Sequence, residues 1–206
     1  MKVTIRDARF VAAAVGPSQL PAPMVVEIAF AGRSNVGKSS LLNALLQRNK
    51  LARTSSTPGC TRTINLFRVE LAEPQATIDF IDLPGYGFAK RSKAERRGWG
   101  QSIEALLRHR AGLRSIVIIV DARRGFEGDD LDLVAFARSI KLDPLLVATK
   151  LDKLPSSKQT LRIRELSKET GERVHGFSAE SGLGRDMLWS SMLRSTAVGG
   201  GSTGGA

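Results

Sequence analysis

Cysteine occurs once in the 206 residues, as Cys60, and histidine twice, as His109 and His175. A single thiol cannot close an intramolecular disulfide, which fits a reducing compartment. With so few soft ligands, no His/Cys cluster is available for a structural metal. Long apolar runs are also missing. The patch from Phe10 to Val15 follows Arg6, Asp7 and Arg9 and is too short for a secretory core or a membrane span. With no lipidation motif at either end, a soluble, cytoplasmic protein is expected. Acidic residues are scarce, 20 against 31 Lys and Arg, and the net charge of +11 points to an anionic partner. Internal repeats are absent, and the final "GGGSTGGA" has no core-forming residue.

What is present reads as one α/β domain. Strands are expected over 25–31, 64–71, 76–82, 114–121, 144–150 and 173–179. Between them lie helical patterns over 39–47, 128–140, 156–171 and 182–193, and over the second half of 95–110. The continuous apolar run "RSIVIIVD" suits a central strand covered on both faces. The expected fold is a doubly wound, mostly parallel six-stranded sheet flanked by helices, with one antiparallel hairpin near its start. Residues 1–24 form an N-terminal extension, 25–195 the domain and 196–206 a flexible tail.

"GRSNVGKS", from Gly32 through Arg33, Ser34, Asn35, Val36, Gly37 and Lys38 to Ser39, fits G-x-x-x-x-G-K-[ST] between a strand and a helix. Its glycines allow the backbone to approach closely, and successive N–H groups at the helix N-terminus face phosphates. Lys38 is placed to bridge the terminal phosphates, and the Ser39 hydroxyl to ligate Mg²⁺. "DLPG", Asp82, Leu83, Pro84 and Gly85, closes an apolar strand. There a carboxylate can hold Mg²⁺ through water, and the Gly85 N–H can meet a γ-phosphate. When that phosphate leaves, Tyr86, Gly87 and Phe88 become free to move. In "TKLD", Thr149, Lys150, Leu151 and Asp152, the carboxylate can accept two hydrogen bonds from guanine, a pair adenine lacks. The Lys150 stem covers the base while its head ties back to the phosphate loop. Phe177, Ser178 and Ala179 follow the last strand, with Ser178 and the Ala179 N–H facing the guanine carbonyl.

With "GRSNVGKSSLLNAL", "TSSTPGCTRTINLF", "DLPGYGFAK", "TKLDKL" and "FSA" in this order, the chain resembles the translation-factor-like GTPases. More narrowly, over residues 5 to 195, it resembles the EngB (YihA/YsxC) ribosome-biogenesis GTP-binding proteins, for which "DLPGYGFAK" and Thr149 are the narrow signals. The resemblance implies a P-loop GTPase G domain that binds GTP and GDP and assists late assembly of the large ribosomal subunit. Its partners are then ribosomal RNA and proteins, with an indirect part in cell division and septation. Spacing alone leaves Thr57, Thr61 and Thr63 open as the first-switch threonine. The resemblance selects Thr61 to close over Mg²⁺, with Gly59, Cys60, Arg62 and Thr63 also lining the nucleotide. It likewise implies a potassium ion on Asn35, making Asn35, Lys38 and Thr61 the catalytic set.

Many GTPases place a glutamine after the D-x-x-G glycine to orient water. Tyr86 stands there instead, so hydrolysis is expected to be slow and to rise with potassium or a ribosomal partner. From Lys90 to Arg114 there are eight Lys or Arg and two acids, Glu95 and Glu104, a stretch suited to ribosomal RNA. Trp99 and Phe88 are candidates to stack on bases. The competing reading, a P-loop nucleotide or metabolite kinase, needs a lid that no insertion supplies and leaves "TKLD" and "FSA" unexplained. Monomer is the default expectation.

Overall fold

The computed structural model describes residues 2–52, 63–86 and 93–196, with the backbone alone over 93–99. Its strands are β1 (Thr4–Ala14), β2 (Val26–Gly32), β3 (Ile64–Glu73), β4 (Ala76–Asp82), β5 (Leu113–Asp121), β6 (Asp143–Thr149) and β7 (Val174–Gly176). The helices are α1 (Lys38–Leu46), α2 (Lys93–His109), α3 (Gly128–Ser139), α4 (Ser156–Thr170) and α5 (Arg185–Ser195). One sheet runs β1-β3-β4-β2-β5-β6-β7. The pairs β1–β3 and β3–β4 are antiparallel, and every other pair is parallel.

The alternation of side chains along β5 divides the core in two. Ile116, Ile118 and Val120 face α2, α3 and α4, meeting Leu106, Val134 and Leu166. Val117 and Ile119 face α1 and α5, meeting Leu41, Leu45, Leu188 and Met192. A strand buried on both faces must be apolar at every position, which is why β5 shows no alternation in sequence. Trp189 of α5 donates its indole N–H to the Leu45 carbonyl at 3.2 Å and so fixes α5 against α1.

The sheet has seven strands rather than six. The additional one, β1, lies inside the segment read as an extension. Its register against β3 shifts between Thr4 and Ile5, Ile5 and Asp7, and Phe10 and Ala12. Each irregularity breaks the period-two pattern by which a strand is recognised. Two further bounds differ from expectation. Helix α2 begins at Lys93 and so includes the first half of its segment, and β7 stops at Gly176, leaving residues 177–179 as a loop.

At the opposite edge of the sheet from the strand C-termini, Arg110 forks onto the fully buried Glu27 with two bonds of 2.7 Å. The same guanidinium donates to the Pro21 carbonyl at 2.8 Å, pinning the connection from β1 to β2. Next to Glu27 in register, Asp79 is held by Arg68 at 2.9 and 2.8 Å. No described helix is long and apolar enough to cross a membrane.

Candidate functional site

The segments singled out in the sequence follow the C-terminal ends of neighbouring parallel strands, where ligands of open α/β sheets bind. The phosphate-loop motif leaves β2, "DLPG" leaves β4, "TKLD" leaves β6 and "FSA" leaves β7.

The loop from Gly32 to Ser39 is shaped by close approach. A side chain at Gly32 would meet the Ile119 carbonyl oxygen at 2.7 Å, so the strand can bend here only as glycine. Gly37, at φ 99°, caps α1, and Asn35 is also left-handed, at φ 64°. No side chain caps the first turn of α1, so its N–H groups and positive dipole end remain for an anion. The loop is braced from β6. The buried Thr149 hydroxyl touches the Val36 carbonyl and lies 2.9 Å from that of Val120. As expected, the Lys150 ammonium ties back, 2.5 Å from the Asn35 carbonyl. It also lies 3.1 Å from the carboxylate of Asp121. Burial pushes the Asp121 carboxyl up, but Arg123 and Lys150 outweigh it and hold it well below the usual carboxylate range. The sequence reading missed Asp121, although it ends an apolar strand as Asp82 does.

Lys38 and Asp82 meet in an ion pair. The second oxygen of Asp82 accepts from the Asn65 amide at 3.3 Å, and the Asn65 side chain in turn lies 3.3 Å from the Thr63 hydroxyl. A buried carboxylate and the Ser39 hydroxyl are hard oxygen donors, a set that suits Mg²⁺. Leu83 and Pro84 are buried, and the Leu83 N–H donates to Phe30 at 3.0 Å. Gly85 packs so tightly that a side chain there would meet the Ser34 hydroxyl oxygen at 2.9 Å. Gly59, Cys60, Thr61 and Arg62 lie outside the described residues, as do Gly87 and Phe88.

Tyr86 is tied both to the phosphate loop and to α3. Its N–H donates to Gly32 at 3.4 Å, its carbonyl accepts from Ser34 at 3.2 Å, and its hydroxyl donates to Asp130 at 2.8 Å. Burial, then the Asp130 charge, raise its pKa well above the ordinary value. Asp130 belongs to a capping box with Glu127 at the start of α3, and Glu127 pairs with Arg33 of the phosphate loop. Glu127 lies just before the helical pattern over 128–140 and Asp130 within it, and neither was among the site residues expected from sequence.

At the base end, Leu151 is buried, and its N–H donates to the Phe177 carbonyl at 3.2 Å. Phe177 in turn donates to Ala148 at 2.8 Å. The Ser178 hydroxyl is directed at Asp152 Oδ1, 2.7 Å away, rather than at a base carbonyl, while Ala179 is exposed. Ser178, and after it Lys153, hold the Asp152 carboxyl below its ordinary value against a modest opposing effect of burial. Asp152 is therefore an oriented acceptor at the surface and not a buried one.

A family model described as "50S ribosome-binding GTPase" matches residues 27–150. A protein of Desulfatibacillum aliphaticivorans named "Probable GTP-binding protein EngB" is 45% identical over 192 residues, covering 92% of this chain and 91% of that one. The crystal structure of another protein so named superposes with a TM-score of 0.65 at 24% identity, covering 84% and 99% of the two chains, which is a likeness of fold. Era, solved with MgGDPNP and nucleotides 1506–1542 of 16S ribosomal RNA, gives a TM-score of 0.68 at 29% identity over 82% of this chain and 56% of its own.

Proposed function

Because the chain belongs to the EngB family of GTP-binding proteins, we propose that it is a slow, Mg²⁺-dependent GTPase switch that assists assembly of the large ribosomal subunit. The observation that carries this reading is the meeting, at one edge of the sheet, of three parts. These are an uncapped helix N-terminus, the Lys38–Asp82 pair and an Asp152 held in place by Ser178. Backbone N–H groups from Gly32 to Ser39 would cradle the phosphates, and Lys38 would exchange Asp82 for the β- and γ-phosphate oxygens. Ser39, Thr61 and, through water, Asp82 would hold Mg²⁺, which when bound neutralises charge developing between those oxygens. Asp152 would accept from guanine N1–H and the exocyclic amine, with Lys150 along the base. The Gly85 N–H would report the γ-phosphate.

The Tyr86 hydroxyl is occupied by Asp130, so it does not orient a water. Hydrolysis then rests on charge stabilisation and is slow without help. Asn35 is the residue that would hold a potassium ion, in the place an arginine finger serves elsewhere. Ribosomal RNA as partner is supported by the family description, by the RNA in the Era complex and by a net charge of +11. An effect on cell division and septation would follow indirectly from ribosome supply. Co-sedimentation with purified large subunits tests the switch. More protein should pellet with a non-hydrolysable GTP analogue than with GDP, and equal pelleting in the two states would overturn it.

A further inference from the structure

The first turn of α3 reaches both loops that face the phosphates. Glu127, the cap residue, pairs with Arg33 of the phosphate loop. Three residues on, the fully buried Asp130 spends both carboxylate oxygens. Oδ2 accepts from the Glu127 backbone N–H at 2.9 Å, and Oδ1 accepts from the Tyr86 hydroxyl at 2.8 Å. Tyr86 is thus held at its side chain by α3 and at its backbone by Gly32 and Ser34. The Gly85 peptide lies between this anchor and the Leu83 N–H bonded to β2. The Asp82–Leu83 and Gly85–Tyr86 peptides on either side each carry a hydrogen bond that turning would break, and the Gly85 N–H sits in the unit between them.

We propose that Asp130 is a positioning residue for recognition of the γ-phosphate, acting through the Tyr86 hydroxyl to keep the Gly85 N–H aimed at the phosphate seat. The inference rests on Gly85 as the γ-phosphate sensor. A GDP complex makes no use of that N–H, so the tie affects triphosphate binding selectively.

Two substitutions separate positioning from packing. Tyr86→Phe removes only the phenol oxygen. Asp130→Asn leaves one oxygen where the carboxylate served both the Glu127 N–H and the phenol, but in either amide orientation it keeps a hydrogen bond to the phenol. Affinities of the full chain for GDP and for a non-hydrolysable GTP analogue are measured by fluorescence titration, with thermal melts alongside. Tyr86→Phe should weaken the triphosphate analogue about three- to tenfold relative to GDP, the worth of one hydrogen bond. Asp130→Asn should lower the melting temperature yet keep the wild-type ratio, and Tyr86→Phe should lose no more discrimination when combined with Asp130→Ala. An unchanged ratio in Tyr86→Phe would overturn the proposal even if its melting temperature fell. Wild-type protein that binds neither nucleotide would sink the guanine-nucleotide reading itself, and this inference with it.

Discussion

Asp152 and Ser178 lie 26 positions apart and meet at 2.7 Å, so on the function proposed above base choice would depend on two strand ends arriving together. Asp152 was singled out because "TKLD" follows an apolar strand in order and spacing behind the phosphate-loop and "DLPG" motifs. The partner of Ser178 was not, since spacing places a hydroxyl on a loop without saying where it points. Tyr86 repeats the lesson: its position after Gly85 ruled out the glutamine role, yet its bond to Asp130 crosses 44 residues. Replacing Asp152 by Asn turns an acceptor into a mixed donor and acceptor. Affinity for GTP should fall by at least about tenfold, the scale of one mispaired polar group, while xanthosine triphosphate should gain. Competition titration with the two nucleotides checks this, and intact guanine affinity would mean that the base lies elsewhere.

Among the elements, those with a clean period were legible and those with a broken one were not. Strand β5 declared itself by an uninterrupted apolar run, and α1 by leucines at 41, 42, 45 and 46, all buried. The bulges of β1 left no period to read, while β7 was expected as a strand but ends at Gly176, three residues earlier than the pattern over 173–179. Another feature hidden from pattern is the clamp between β2 and the residue just past α2. Arg110→Ala would strand Glu27, which has no exposed surface, in a site where burial already raises its pKa despite Arg110. An unpartnered buried charge costs about 3–5 kcal/mol. Glu27 can escape that cost by taking up a proton, and its folded pKa in the variant then lies above the unfolded value. The folded state binds the extra proton, so the loss should be smaller near pH 5 and grow as pH rises through the folded pKa. Urea denaturation at pH 5 and pH 8 measures the difference, and equal losses would show that the carboxylate is not the source.

For the whole molecule, the charge of +11 overstates what can meet RNA. Of the eight cations between Lys90 and Arg114, Arg108 lies over the Phe136 ring at 5.2 Å, Arg110 is buried on Glu27, and Arg114 donates to the Ala111 and Leu113 carbonyls at 2.8 and 3.1 Å. The other five cations of the stretch, Lys90, Arg91, Lys93, Arg96 and Arg97, have side chains outside those described, and one phosphate is counted for each. At 0.7 to 0.9 counterions released per phosphate, binding to a ribosomal RNA fragment should show a log–log salt slope of about −3.5 to −4.5. A filter-binding series in potassium chloride reads that slope directly. A value near zero would remove this segment as the docking surface, and one near −7 would bring in cations from other faces.

The outermost position of β1 has a consequence for the chain as it is made. This strand leaves the synthesising ribosome before its partner among the described strands, β3, which ends at Glu73. Until those later residues emerge, Thr4–Ala14 cannot make its pairing with β3 and carries the exposed Phe10 and Val11 along an open edge. The nascent polypeptide therefore passes through an interval in which this strand is a bare template, with Arg6, Asp7 and Arg9 as the charges along it.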